Sequence, residues 1–192
     1  MKEIIQQELN AAARLKELMA TSLADDIEQA ASMLIASLKA GKKVVAFGNG
    51  GSACDAQHLA AELVGRFGKD RSPLAALALT GDSSVLTSLG NDYGFSSVFS
   101  RQVEALIKAG DVAVAISTSG NSENVIQGVR AARAAGAWTV ALLGNDGGAL
   151  KGLVDVAVVV PAKQSSRVQE GHISIIHVIC KLVEEAIFGG QG

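Results

Sequence analysis

Aromatic side chains are scarce in this sequence. Phe, Trp and Tyr make up 4% of its 192 residues, so it offers no stacking platform for single-stranded nucleic acid. Cysteine occurs twice and proline twice. Cys54 and Cys180 lie far apart and have no CxxC partner, which argues for two reduced thiols rather than a disulfide framework. A surplus of one charge is missing too. The formal net charge is −2 and no basic run occurs, so neither nucleic acid nor an anionic membrane is an expected partner. No uninterrupted apolar run is long enough to span a bilayer. The Met1 region is amphipathic and charged, without the apolar core of a signal peptide. The expected location is the cytoplasm.

What is present is a large apolar complement. Hydrophobic residues reach 48%, which excludes a disordered chain and suffices for one domain over 1–192. Residues 3–19 and 23–38 show helical periodicity, giving N-terminal helices within 1–40. From 41 to 164 the pattern changes. Five short apolar runs, at 44–47, 75–79, 112–116, 140–143 and 156–160, alternate with helical patterns or Gly-rich turns. That alternation predicts an α/β fold. The expected architecture is a three-layer α/β/α sandwich around a five-stranded parallel sheet of order 2-1-3-4-5. A last helix over 165–188 is apolar on a broad stripe.

The most informative stretch is VVAFGNGGSACDAQHLAAE, from Val44 to Glu62. A buried strand runs into Gly48-Asn49-Gly50-Gly51-Ser52 and then into a helix. The amides and positive dipole at that helix start suit an anion such as phosphate. His58 and Glu62, four residues apart, share one face and suit a metal or a proton transfer. Taken alone, such a pair is more often a solvated helix face. Cys54 and Asp55 lie one turn earlier and are rival ligands. A second polar set, Gln169, Glu170, His172 and His177, lies in the last helix. Gln169 and His177 are separated by ~12 Å of rise and ~80° of rotation. They reach one metal only if stretched or if two chains contribute. His172 faces away from His177 and is read as a polar surface or interface residue.

Ser117-Thr118-Ser119-Gly120-Asn121-Ser122 carries four hydroxyls at a predicted helix start, a phosphate cradle without fixed positive charge. The absence of Lys excludes a Walker-type loop. Ser122 as a simple N-cap is the plainer alternative. The turn sequence GNDGG, residues 144–148, is read as structural only. Asn91 and Asp92 are either an ordinary turn or a contact to sugar hydroxyls.

The set GNGGSACDAQHLAAE, LGNDYGFSSVFSRQV, GDVAVAISTSGNSENV and RVQEGHISIIHVICKLVE resembles the sugar isomerase fold, specifically the phosphoheptose isomerase family. The resemblance covers nearly the whole chain. It implies one Zn²⁺ per site held by His58, Glu62, Gln169 and His177, with Glu62 as base and His177 as acid. It implies substrate contacts from Asn49, Gly50, Gly51, Ser52, Glu62, Asn91, Asp92, Ser117, Thr118, Ser119, Ser122 and Gln169. Some members carry an Asp shortly before the Gln, where this chain has Ser165-Ser166-Arg167. The implied reaction is isomerisation of sedoheptulose 7-phosphate to D-glycero-D-manno-heptose 7-phosphate, through a zinc-assisted enediolate. The implied setting is heptose supply for cell-surface glycans such as lipopolysaccharide. The implied assembly is a homotetramer with active sites at subunit boundaries. A surplus of apolar helical stripe over what one sheet needs points the same way. The alternative is a non-catalytic phosphosugar-binding regulator that associates with a protein partner such as a replication initiator. The retention of Glu62 and His177 favours the enzyme.

Overall fold

The five apolar runs form five parallel strands in the computed structural model, which describes residues 1–189. They are β1 (Val44–Gly48), β2 (Ala76–Ala78), β3 (Val112–Ser117), β4 (Trp138–Leu143) and β5 (Val156–Val159). The order across the sheet is β2-β1-β3-β4-β5, as expected. The last three positions of the expected 1–192 span lie outside the described residues. Strand limits shift slightly. β4 starts two residues earlier than its apolar run, because Trp138 pairs with Val112 although its ring is half exposed. β2 is an edge strand and keeps only three residues.

Seven α-helices accompany the sheet among the described residues: α1 (Lys2–Ser22), α2 (Ala24–Lys39), α3 (Gly51–Val64), α4 (Ser83–Tyr93), α5 (Ser100–Leu106), α6 (Glu123–Ala134) and α7 (Ser165–Phe188). Successive strand residues point to opposite faces, so each strand feeds two cores. Val44, Ala46, Val112, Val114, Ile116, Val140, Leu142, Val156 and Val158 pack under α1, α2, α3 and α7. Val45, Phe47, Ala113, Ala115, Ala141 and Leu143 pack under α5 and α6. Both faces are covered, which is why the strands read as unbroken apolar runs. Gly128 lets α6 approach the sheet: a methyl there would sit 2.7 Å from the Phe47 ring.

The strand order fixes where a ligand can bind. From β1 the chain goes outward to β2, then crosses back to β3 on the other side of β1. The connections leaving β1 and β3 therefore diverge and open a crevice at the carboxyl edge of the sheet. Residues 49–51 form one lip and residues 118–122 the other.

Candidate active site

Two helices on the same face of the sheet carry the reactive side chains. α3 and α7 run parallel from the carboxyl edge. The Gln169 amide lies against Gly51 at the start of α3, so tightly that a methyl on Gly51 would collide with it. Two turns further along, His177 Nε2 meets His58 Nε2 at 3.0 Å. Their rings are 5.1 Å apart between centroids. His58 Nε2 also stands 3.3 Å from Glu62 Oε1, one turn on. His58 thus stands between Glu62 of its own helix and His177 of α7. One nitrogen of the His58–His177 pair donates and the other accepts. The trio is open to solvent: the His58 side chain is 40% exposed and that of Glu62 21%.

Two of the rival ligands behave differently. Cys54 is exposed and free. Asp55 is buried, and its Oδ2 has no hydrogen-bond partner. Burial pushes the Asp55 carboxyl up to about 6, against the opposing influence of His58.

His172 corrects the surface reading. It is fully buried beneath α7, with Nε2 donating to the Leu143 carbonyl at 3.0 Å. Burial pushes its imidazole down to about 4, and the bond to Leu143 only partly opposes that. Its role is to seat α7 on the end of β4.

The hydroxyl loop between β3 and α6 is held from within and from the side. Ser117 Oγ accepts from Gly120 N at 3.2 Å and lies 3.4 Å from Ser122 Oγ. Ser119 Oγ accepts from Asn121 N at 3.2 Å. Ser122 occupies the N-cap position of α6, yet its hydroxyl makes no capping bond. The plain N-cap explanation for that residue therefore fails. The GNDGG turn does more than reverse the chain. Asn145, at φ 56°, donates through Nδ2 to the Thr118 carbonyl at 2.9 Å. Gly120, at φ 67°, packs so closely on the Gly147 carbonyl that a methyl there would overlap it. Asn121 Oδ1 accepts from Ala149 N at 2.9 Å.

The other lip is tied to the same helix. Asn49 and Asn124 exchange a reciprocal pair of amide hydrogen bonds at 2.8 and 2.9 Å. The Asn49 side chain is thereby fixed to α6, so that one element positions both lips. No motif singles out Asn124; a polar side chain buried in the first turn of an amphipathic helix is the available signal. Gly50, at φ 55°, adopts a left-handed conformation that favours glycine and faces open space. Ser52 turns inward and is buried. Asn91 and Asp92 form the last turn of α4 rather than the turn after it, and Asn91 Nδ2 donates to Asp92 Oδ1 at 2.7 Å. Both are exposed, and no hydrogen bond among the described residues joins them to either lip.

Two donor separations match those of ligands on a zinc ion. At Zn–N and Zn–O bonds of ~2.0–2.2 Å, tetrahedral geometry separates two donors by roughly 3.3 Å. The His58–His177 and His58–Glu62 separations are 3.0 and 3.3 Å. Among the described residues no group of three or more His, Cys, Asp or Glu is placed to hold a metal ion as it stands. A fourth donor has to come from elsewhere, and Gln169, the neutral amide of α7, lies against Gly51. It would have to swing from Gly51 toward His58.

The SIS domain family model matches residues 9–144. The phosphoheptose isomerase of Geobacter metallireducens is 53% identical over 98% of this chain and 100% of its own length. That of Aquifex aeolicus is 50% identical over 97% and 98%. Among solved structures, phosphoheptose isomerase GmhA from Neisseria gonorrhoeae superimposes with a TM-score of 0.91 at 44% identity, over 96% of this chain and 98% of that one. A phosphoheptose isomerase from Francisella tularensis gives 0.92 at 36% identity, over 95% and 97%. With a full-length fold and sequence match of this kind, the chain belongs to the SIS domain family.

Proposed function

We infer that this protein is an aldose–ketose isomerase that converts sedoheptulose 7-phosphate into D-glycero-D-manno-heptose 7-phosphate. One observation carries the chemistry. His58, Glu62 and His177 converge on a helix face that begins at the lip of the crevice. The full-length relatives named phosphoheptose isomerase supply the substrate class.

Each residue has a task. Ser117, Thr118, Ser119 and Ser122, with the start of α6, grip the phosphate through hydroxyls and dipole. Asn49, Gly50 and Gly51 form the facing lip with the buried Ser52 behind them, and Asn91 and Asp92 are assigned to sugar hydroxyls. The isomerisation moves a proton between adjacent carbons and needs a base at carbon, an acid at oxygen and stabilisation of the enediolate charge. Glu62 takes the proton. Its Oε1 faces His58, which leaves Oε2 for transfer. His177 returns a proton to oxygen. His58, Glu62 and His177, with Gln169 as fourth donor, would hold Zn²⁺, which would supply Lewis acidity to the sugar oxygens.

The assembly we propose is a homotetramer with active sites at subunit boundaries. His58, Glu62 and His177 meet within one chain and need no second copy, whereas Gln169 stays at Gly51. Exposed apolar side chains support association. Ile4, Ile5, Leu9 and Leu18 of α1 and Val178 of α7 are each about half exposed or more. The proposed setting is cytoplasmic heptose supply for cell-surface glycans such as lipopolysaccharide. No helix among the described residues is long and apolar enough to cross a membrane.

The test is direct. Purified protein is incubated with sedoheptulose 7-phosphate, with and without a chelator, and the sugar is followed by NMR. Conversion to the aldose that stops with chelator and returns with Zn²⁺ is the expected result. Binding without conversion in the presence of Zn²⁺ would make the protein a phosphosugar-binding regulator instead.

A further inference from the structure

Arg71 and Glu184 form a buried ion pair behind the reactive trio. Their side chains are 2% and 5% exposed, with Nε and Oε2 3.1 Å apart. All four acceptor directions of Glu184 and four of the five N–H directions of Arg71 are used. Arg71 Nη2 donates to the Glu62 carbonyl at 2.8 Å, and Nη1 donates to the carbonyls of Leu63 at 2.9 Å and Ser72 at 3.0 Å. The guanidinium therefore satisfies the last carbonyls of α3, where a cation also suits the helix dipole. Glu184 Oε1 accepts from the amides of Gly68 at 3.0 Å and Lys69 at 2.8 Å, and Oε2 accepts from Phe67 N at 3.2 Å. Burial pushes the Glu184 carboxyl up, but the Lys69, Gly68, Arg71 and Phe67 hydrogen bonds outweigh it and hold the carboxyl below its ordinary range.

What this pair touches sets it apart from a structural bridge. Glu184 lies seven residues after His177, two turns along the same face of α7. Arg71 grips the backbone of Glu62 itself. Phe67, whose amide is bound to Glu184, packs its ring 5.8 Å from the His177 ring. One buried pair thus sets the end of α3, the axial position of α7 and the ring beside His177. A buried pair is weak evidence for stability, since apolar residues of similar volume often serve as well. Its contacts, in contrast, reach the backbone of Glu62 directly and the ring of His177 through Phe67.

We propose that Arg71 and Glu184 are positioning residues for the isomerisation, holding Glu62 and His177 in register across the α3–α7 seam. The proposal rests on the assignment of Glu62 and His177 as base and acid. A misplacement of about 1 Å can cost as much as 10²-fold in rate.

The test compares kcat per folded molecule with KM. Arg71→Lys keeps the charge opposite Glu184 but loses the fork onto the Glu62 and Leu63 carbonyls. It should lower kcat about tenfold or more with KM changed less than threefold. Phe67→Leu, which leaves the ion pair intact, should lower kcat in the same sense, and the double variant should lose less than the product of the two. Glu184→Gln, if it folds, should match Arg71→Lys. Asp111→Asn is the structural control. Asp111 is buried at the opposite edge of the sheet, where it pairs with Lys43 at 2.5 Å, and its variant should melt earlier yet keep kcat. Full kcat in Arg71→Lys and Phe67→Leu overturns the proposal, as does an equal kcat loss in Asp111→Asn. Glu62→Gln is assayed alongside: wild-type turnover there would overturn the base assignment, whatever the clamp variants do.

Discussion

The crest between β3 and α6 and the seam between α3 and α7 lie at one crevice but are built on opposite plans. The crest is made of hydroxyls and backbone, braced by a neighbouring loop and by a Gly120 that tolerates no side chain. Its groups carry no charge, and its shape is fixed before any ligand arrives. The seam is made of titratable side chains that meet across two helices and stay open to solvent. Its precision comes from behind, through Arg71, Glu184 and the buried His172. A rigid neutral cradle binds ground and transition states alike, whereas a convergent acid–base group acts on the reacting carbons. The division predicts that damage to the crest appears in KM and damage to the seam in kcat.

The largest effect that would sharpen this division is expected from Glu62→Gln. The amide keeps shape and hydrogen bonding but accepts no proton, so kcat should fall roughly 10²–10⁴-fold while the melting temperature holds. Steady-state kinetics and a thermal melt check both halves.

Gly120→Ala attacks the crest. The new methyl meets a positive φ and the Gly147 carbonyl together, so the two loops must separate. The expected costs are about 1–3 kcal/mol of stability and a KM raised about tenfold or more, with kcat largely retained. A wild-type KM would show that the crest does not hold the phosphate.

Much of this arrangement was legible in the sequence. The strands were readable because a parallel sheet buried on both faces leaves unbroken apolar runs. His58 and Glu62 were readable because helical spacing alone puts them on one face. The supports were not. Arg71 meets Glu184 across more than a hundred positions, and Asn49 meets Asn124 across 75. No local pattern announces such pairs. His172 was misread because a polar residue in an amphipathic helix looks exposed until a partner such as the Leu143 carbonyl is known. The GNDGG turn was seen, but its bracing of the hydroxyl loop depends on β3 and β4 being neighbours, which only the assembled sheet provides.

Removing two hydroxyls is a milder probe of the crest. Ser119→Ala with Ser122→Ala should raise KM roughly tenfold, the equivalent of ~1.4 kcal/mol, and leave kcat nearly unchanged. Kinetics on sedoheptulose 7-phosphate decide it, and unchanged constants would make the loop purely structural.

The smallest effect on turnover should come from His172, whose signature is in stability instead. The folded imidazole ionises near 4, below the unfolded value near 6.5. Below pH 6.5 the unfolded chain therefore binds the extra proton, and stability falls as pH drops toward 4. The loss is about 3 kcal/mol, at ~1.4 kcal/mol per pH unit. His172→Gln can still donate to Leu143 and should lose that part of the pH dependence. Urea melts of both proteins between pH 7 and pH 4 would reveal it, and parallel curves would contradict it.

The most direct test of the division between grip and chemistry is a binding measurement. Calorimetric titration with sedoheptulose 7-phosphate is run on Glu62→Gln and on the Ser119→Ala, Ser122→Ala double variant. Glu62→Gln should bind within about threefold of wild type though it no longer turns over. The double variant should bind about tenfold more weakly yet turn over normally at saturation. Loss of both binding and turnover in both variants would contradict the account.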